Sequence, residues 1–250
     1  MPIDYDDMMQ SGATGLVSSY DEKDVMLYAL GVGFMRDPLD ANELPFVYEN
    51  NGLKVVPTFA FENGALKGTQ TRDQNIPAAD GKPAVTPHAA VHGLELPTKD
   101  SVVEVKIRFD GANMIDVEFD DRKYEGAHYG HICRAQVRLN GVTIVDERDG
   151  TMRNDIYEMS KDPEKKAERA KLLVGRTVTY PAKLEAGKWY NLGVETVGDT
   201  MRVTLDGQPA AYLKSSGIGH ETKSKIELGV GGKDGYFDDI KVWNAEPAKQ

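Results

Sequence analysis

In Val103-Glu104-Val105-Lys106-Ile107-Arg108-Phe109 apolar and charged residues alternate without a break. A period of two belongs to a β-strand with one dry and one wet face, since a helix repeats every 3.6 residues. Ile115-Asp116-Val117-Glu118-Phe119-Asp120 repeats the pattern, as do residues 133–139 and Met201-Arg202-Val203-Thr204-Leu205. Asp110-Gly111, Asn140-Gly141 and Asp206-Gly207 lie beside these runs and tolerate the positive φ of tight hairpin turns. Many short alternating strands with no helices between them predict a mainly β chain, folded as an antiparallel sandwich. Asp162-Pro163-Glu164 followed by a run of helix formers to Leu173 is the exception, and predicts a polar surface helix inside a loop. The cluster Gly229-Val230-Gly231-Gly232 reads as a bulge within a strand.

The first sixty residues read differently. Asp24 precedes the apolar run Val25–Leu30, closed by Gly31 and Gly33, which predicts a short capped helix. Residues 44–49 and 53–59 look extended, giving a small α+β segment unable to bury a core of its own. Residues 1–59 carry −7 of the net −10 charge. This shift places a domain boundary near residue 60, with an N-terminal segment 1–59 and a sandwich domain 60–250. The acidic balance, with no basic run, argues against nucleic acid and anionic membrane surfaces as partners. Cys133 is the only cysteine, so the chain has no internal disulfide and no multi-cysteine zinc site. No stretch approaches the roughly 20 apolar residues of a membrane span, and the acidic N-terminus shows no signal peptide. The compartment stays open.

Two resemblances add expectations. Asp24–Gly33, Asp37-Pro38, Leu44–Glu49 and Val56-Pro57-Thr58-Phe59 resemble the N-terminal hot-dog half of MaoC-type enoyl-CoA hydratases, over residues 14–59. In that family the catalytic Asp and His lie in a Gly-Asp-x-Asn-Pro-x-His motif of the second half, and this chain has no such motif. From residue 61 onward His128–Arg134, Gly187–Leu192, Val203–Gly207 and Phe237–Trp243 resemble concanavalin-like, laminin-G-like domains of the 3-keto-disaccharide hydrolase type. That resemblance implies a jelly roll over residues 61–243 and a carbohydrate ligand, in a family usually exported from bacteria. It leaves three functions open: a non-catalytic glycan-binding or accessory module first, a glycoside hydrolase second, and an acyl-CoA hydratase relative lacking its catalytic half third. The two signatures abut without a linker, which predicts a fusion near Phe59-Ala60.

Asp116, Glu118 and Asp120 project from one strand face, about 7 Å between successive side chains. Paired carboxylates can serve as nucleophile and acid in glycoside cleavage, making Asp116 and Glu118 the catalytic candidates. Met114 stands where the resemblance would require a first glutamate, and a solvated face balancing Lys106 and Arg108 is the plainer expectation. His131 and Cys133 share a face by strand parity, and that face continues into Ala135, Val137 and Leu139, so Cys133 reads as a buried apolar residue and no metal site is expected. Arg134 falls on the other face with Ile132 and Gln136. His128, His131, Arg134 and Trp189 are the candidate carbohydrate-binding residues. Trp189 stands opposite the core face of Tyr190, Leu192 and Val194. His88, His92 and His220 read as loop histidines without a role, and no cofactor is expected.

Overall fold

The computed structural model describes residues 59–62, 64–78, 84 and 86–245. The helix expected after Asp24 and the extended pieces before residue 59 lie outside them. The described residues belong to a compact unit that begins at residue 58.

Eleven strands run β1 (Phe59–Glu62), β2 (Ala65–Thr69), β3 (Ala90–Leu94), β4 (Ser101–Asp120), β5 (His131–Arg138), β6 (Gly141–Asp146), β7 (Thr177–Pro181), β8 (Trp189–Val197), β9 (Thr200–Leu205), β10 (Gln208–Lys214) and β11 (Lys225–Asn244). Every pairing between them is antiparallel, as the alternation predicts.

β4 and β11, each 20 residues long, organise the sandwich. The first half of β4 pairs with β8, which continues to β9 and β10, and its second half pairs with β5, which continues to β6 and β7. β11 lies along both halves of β4, with β2 and β1 beside its C-terminal part and β3 beside its N-terminal part. The two long strands therefore belong to both sheets. Their inward residues (Val103, Val105, Ile107 and Phe109 in one half, Ile115, Val117 and Phe119 in the other) meet in one core with Leu192, Val203, Ile144 and Phe237.

This corrects the turn expected at Asp110-Gly111. Residues 103–109 and 115–120 are one strand, in which Gly111 (φ 104) pairs with Asp234 and Ala112 with Gly232 (φ 84), across a stretch of shifted register. Glycine serves there as a bulge, where only a residue without Cβ adopts that backbone cheaply. The bulge expected within Gly229–Gly232 is present. Asn140 and Asp206-Gly207 do stand at the β5–β6 and β9–β10 hairpin turns.

The β6–β7 connection is a helical insert: a π-helical turn at Glu147–Thr151, α1 (Asn154–Met159), a 3-10 turn at Pro163–Lys165 and α2 (Lys166–Leu172). The Asp162 carboxylate caps the 3-10 turn by accepting from Glu164 N, and α2 buries no side chain, as a polar surface helix should. α1, a short helix that buries Ile156, was not expected from the sequence. Asp146 anchors the insert. It is fully buried and accepts from Arg176 Nη1 (2.9 Å), Ser215 Oγ (2.5 Å), Gly217 N (3.0 Å) and Asp149 N (3.0 Å).

Candidate functional site

The second half of β4 and the first half of β11, with β5, carry a charged well on the sheet face opposite the core. Cross-strand pairing sets its rows: Glu227, Glu118 and Arg134 in one, Gly229, Asp116 and Gln136 in the next. A register shift at Ile132 then brings His131 opposite Asp120. Strand parity alone had put His131 with Cys133 on the core face. The extra residue turns it over, onto the face of Arg134.

Glu147, first residue of the insert, closes the well. Arg134 Nη2 lies 2.5 Å from Glu147 Oε1 and 2.8 Å from Glu118 Oε1, while Nη1 lies 3.5 Å from Asp116 Oδ2. His131 Nδ1 lies 2.6 Å from Glu118 Oε1 and 2.9 Å from Asp120 Oδ1. Asp116, Glu118, Asp120 and Glu147 keep 3%, 5%, 3% and 1% of their surface. The expectation of a solvated carboxylate face balanced by Lys106 and Arg108 is therefore corrected: these acids are buried, and their counterions come from β5. Lys225 pairs with Glu227 beside them, its side chain lying where a Cβ on Gly93 would stand. Asp116 lies equally flat on Gly229, whose missing Cβ leaves room for the Asp116 Oδ1 atom.

Burial governs the ionisation of this group. It pushes the Glu147 carboxyl up to about 8, reinforced by the charge of Glu118 and opposed by Arg134. It raises Asp116 to about 6 against the pull of Arg134, and raises Glu118 and Asp120 as well. For His131 burial acts downward, but the hydrogen bond to Asp120 and the carboxylate of Glu118, 2.6 Å away, outweigh it and lift the imidazole to about 10. Glu118 Oε1, though close to two cations, has no well-directed hydrogen bond, and Glu147 Oε2 has none.

His128 stands at the turn before β5, its ring stacked on Tyr157 of α1 at 3.7 Å, with Tyr129 at 4.3 Å. Cys133 is buried in the core as expected, and burial pushes its thiol up. His92 is on β3, not in a loop, and His88 forms an isolated bridge with Arg72. His220 also departs from expectation: Nε2 lies 3.0 Å from Asp121 Oδ2 and its ring packs on Tyr124, so it ties two connections together.

Trp189 belongs to neither the well nor its rim. It pairs with Arg108 in the other sheet, where the Arg108 guanidinium lies 5.0 Å from the Trp189 ring and 4.2 Å from that of Tyr236. Two residues along, Asn191 pairs with Lys106 at an open groove of about 300 Å³ lined by Glu104, Lys106, Asn191, Asp206, Asp239 and Lys241. Gly193 and Thr204 also line it, and a Cβ on Gly193 would stand 2.5 Å from Thr204 Oγ1. A register shift between Asp238 and Lys241 sets Asp239 (φ 50) at the edge, where it pairs with Lys241 (2.7 Å) and Lys106 (3.7 Å). Asp206 holds Asn191 from below, accepting from its backbone N at 2.8 Å and its Nδ2 at 3.2 Å. The alternation marked these wet-face residues, but neither the bulge nor the groove could be read from it.

Residues 18–103 match the family described as the MFE-2 hydratase 2 N-terminal domain. The peroxisomal enoyl-CoA hydratase 2 of Arabidopsis thaliana is 33% identical over 139 residues, 49% of this chain and 43% of the plant enzyme. The chain thus spans less than half the length of that relative. The matched residues run past residue 60 and take in β1, β2, β3 and the start of β4, beyond the 14–59 that carried the resemblance in the sequence. Among solved structures, the carbohydrate binding module CBM66 from Bacillus subtilis is similar at 14% identity and a TM-score of 0.45, over 74% of this chain and 90% of that one. The laminarinase catalytic domain from Thermotoga maritima is similar at 14% and 0.48, over 77% and 82%. Sheep galectin-11 is similar at 14% and 0.40, over 63% and 98%.

Proposed function

We propose that the sandwich is a glycan-binding module whose ligand lies in the open groove and against Trp189. The observation that carries this reading is the groove itself: an open trough on the wet face, lined by a carboxamide, carboxylates and ammonium groups. Paired sugar hydroxyls act as donor and acceptor together, which such groups satisfy in pairs. Trp189, next but one to Asn191 on the same face, offers an indole surface for the C–H face of a pyranose. The well supports binding over hydrolysis. Its candidate acid and nucleophile, Asp116 and Glu118, are almost wholly buried and engaged with Arg134 and His131, so a glycosidic oxygen has no approach to them.

A glycan array followed by titration calorimetry tests the reading. Trp189→Ala and Asn191→Ala are each expected to weaken binding about tenfold, the equivalent of about 1.4 kcal/mol. Equal affinity in both variants would move the site elsewhere. Turnover of plain or 3-keto-disaccharides that disappears in Asp116→Asn would replace binding with hydrolysis.

A second reading, acyl-CoA hydration, rests on the match over residues 18–103. The chain contains no Gly-Asp-x-Asn-Pro-x-His motif to supply an acid and a base. Hydration of crotonyl-CoA by the purified chain would establish that reading nonetheless.

A further inference from the structure

The charged well is separate from the groove and contributes no contact to the ligand proposed above. Four carboxyl groups, Asp116, Glu118, Asp120 and Glu147, face two cations, Arg134 and His131. The neighbouring Lys225–Glu227 pair neutralises itself. Fully ionised, the well holds two negative charges more than its side chains can balance, and burial makes such an excess costly unless something positive joins it.

The donor atoms show where that would be. Glu118, His131 and Glu147 each bring a ligand atom within 4.8 Å of the other two. Metal–ligand bonds of about 2.1 Å bring ligand atoms that close around one ion. Glu147, with 2% of its side chain exposed, gives Oε1 to Arg134 and keeps Oε2 buried with no hydrogen-bond partner. Such an orphaned buried oxygen calls for a proton or a metal. Asp120, 2.9 Å from His131 Nδ1, stands where an outer carboxylate orients a ligand imidazole.

We propose that the well binds one divalent transition cation through Glu118, Glu147 and the neutral imidazole of His131, whose proton leaves to solvent as the ion enters. The imidazole selects the class: zinc or manganese accept mixed nitrogen and carboxylate donors, whereas calcium and magnesium favour oxygen alone. Arg134 remains the counterion of Asp116 and holds Glu118 and Glu147 converged. The β5 register shift is what makes the set, because without it His131 would enter the core.

The experiment uses the full chain after exhaustive chelation, titrated with zinc, manganese, calcium and magnesium chlorides by calorimetry and thermal melting. The expected result is one equivalent of zinc or manganese bound, with a rise in Tm. Glu147→Gln keeps size and hydrogen bonding, and is expected to lose binding. Asp120→Asn, which leaves the three ligands in place, is expected to weaken it 10- to 100-fold, as loss of an outer-shell partner does. Circular dichroism confirms that each variant folds, and one that does not is replaced by His131→Gln. No saturable binding of zinc or manganese overturns the proposal, as does binding undiminished in the variants. Neither result touches glycan affinity, so failure here is distinguishable from failure of the groove.

Discussion

The Nη2 nitrogen of Arg134 lies 2.5 Å from Oε1 of Glu147, joining the middle of β5 to the first residue of the helical insert. Glu147 is almost fully buried and Arg134 largely so, and removing the arginine strands the carboxylate. Arg134→Leu is expected to cost about 3–5 kcal/mol of stability, while Arg134→Leu with Glu147→Leu, which leaves no orphan of this pair, costs less. Urea midpoints of the two variants decide it.

Gly229 tests how tightly the well is packed. A methyl group there would overlap the Asp116 carboxylate and force it off the strand. Gly229→Ala is expected to destabilise by about 1–3 kcal/mol. In an Asp116→Ala background the same change costs much less, and thermal melts of the four-member cycle measure the difference.

Lys223 gives a pH dependence. Its side chain is buried, with Nζ donating to Lys99 O at 2.5 Å and lying 3.4 Å from His220 O. Burial lowers its pKa from 10.5, helped by the charges of Lys99 and Arg148 and opposed by Cys133 and Asp100. Between the lowered value and 10.5 the unfolded chain binds more protons than the folded one, so stability rises with pH across that window. Lys223→Met is expected to flatten this rise, as read from unfolding free energies at a series of alkaline pH values.

We propose that the sandwich folds without the residues before it. β1 pairs with β2 through Phe59↔Gly68 and Glu62↔Ala65, a hairpin closed within the sandwich's own sequence. A chain starting at residue 58 is expected to melt cooperatively at the Tm of its unit in the full chain. A molten or insoluble product would make the first segment integral and end the fusion reading.

The sequence revealed the strands more fully than their connections. Alternation marked Val103, Val105, Ile107 and Phe109 as core and Glu104, Lys106 and Arg108 as wet face, because burial on one side of a strand imposes that period directly. Asp110-Gly111 misled, because a glycine with positive φ serves a hairpin and a mid-strand bulge alike, and only the distant partner segment Gly232–Asp234 decides between them. His131 misled for a related reason: one extra residue at Ile132 reverses every parity argument beyond it. Glu147 had no local signal at all. It enters the well through a loop, far in sequence from Asp116 and Glu118.

β4 carries the groove residues Glu104 and Lys106 on its first half and the well residues Asp116 and Glu118 on its second, with the bulge at Gly111 between them. A strand bonded on both edges cannot slide at one end only. Groove and well are thus two stations on one backbone, Lys106 and Asp116 marking their near ends on either side of the Gly111 bulge.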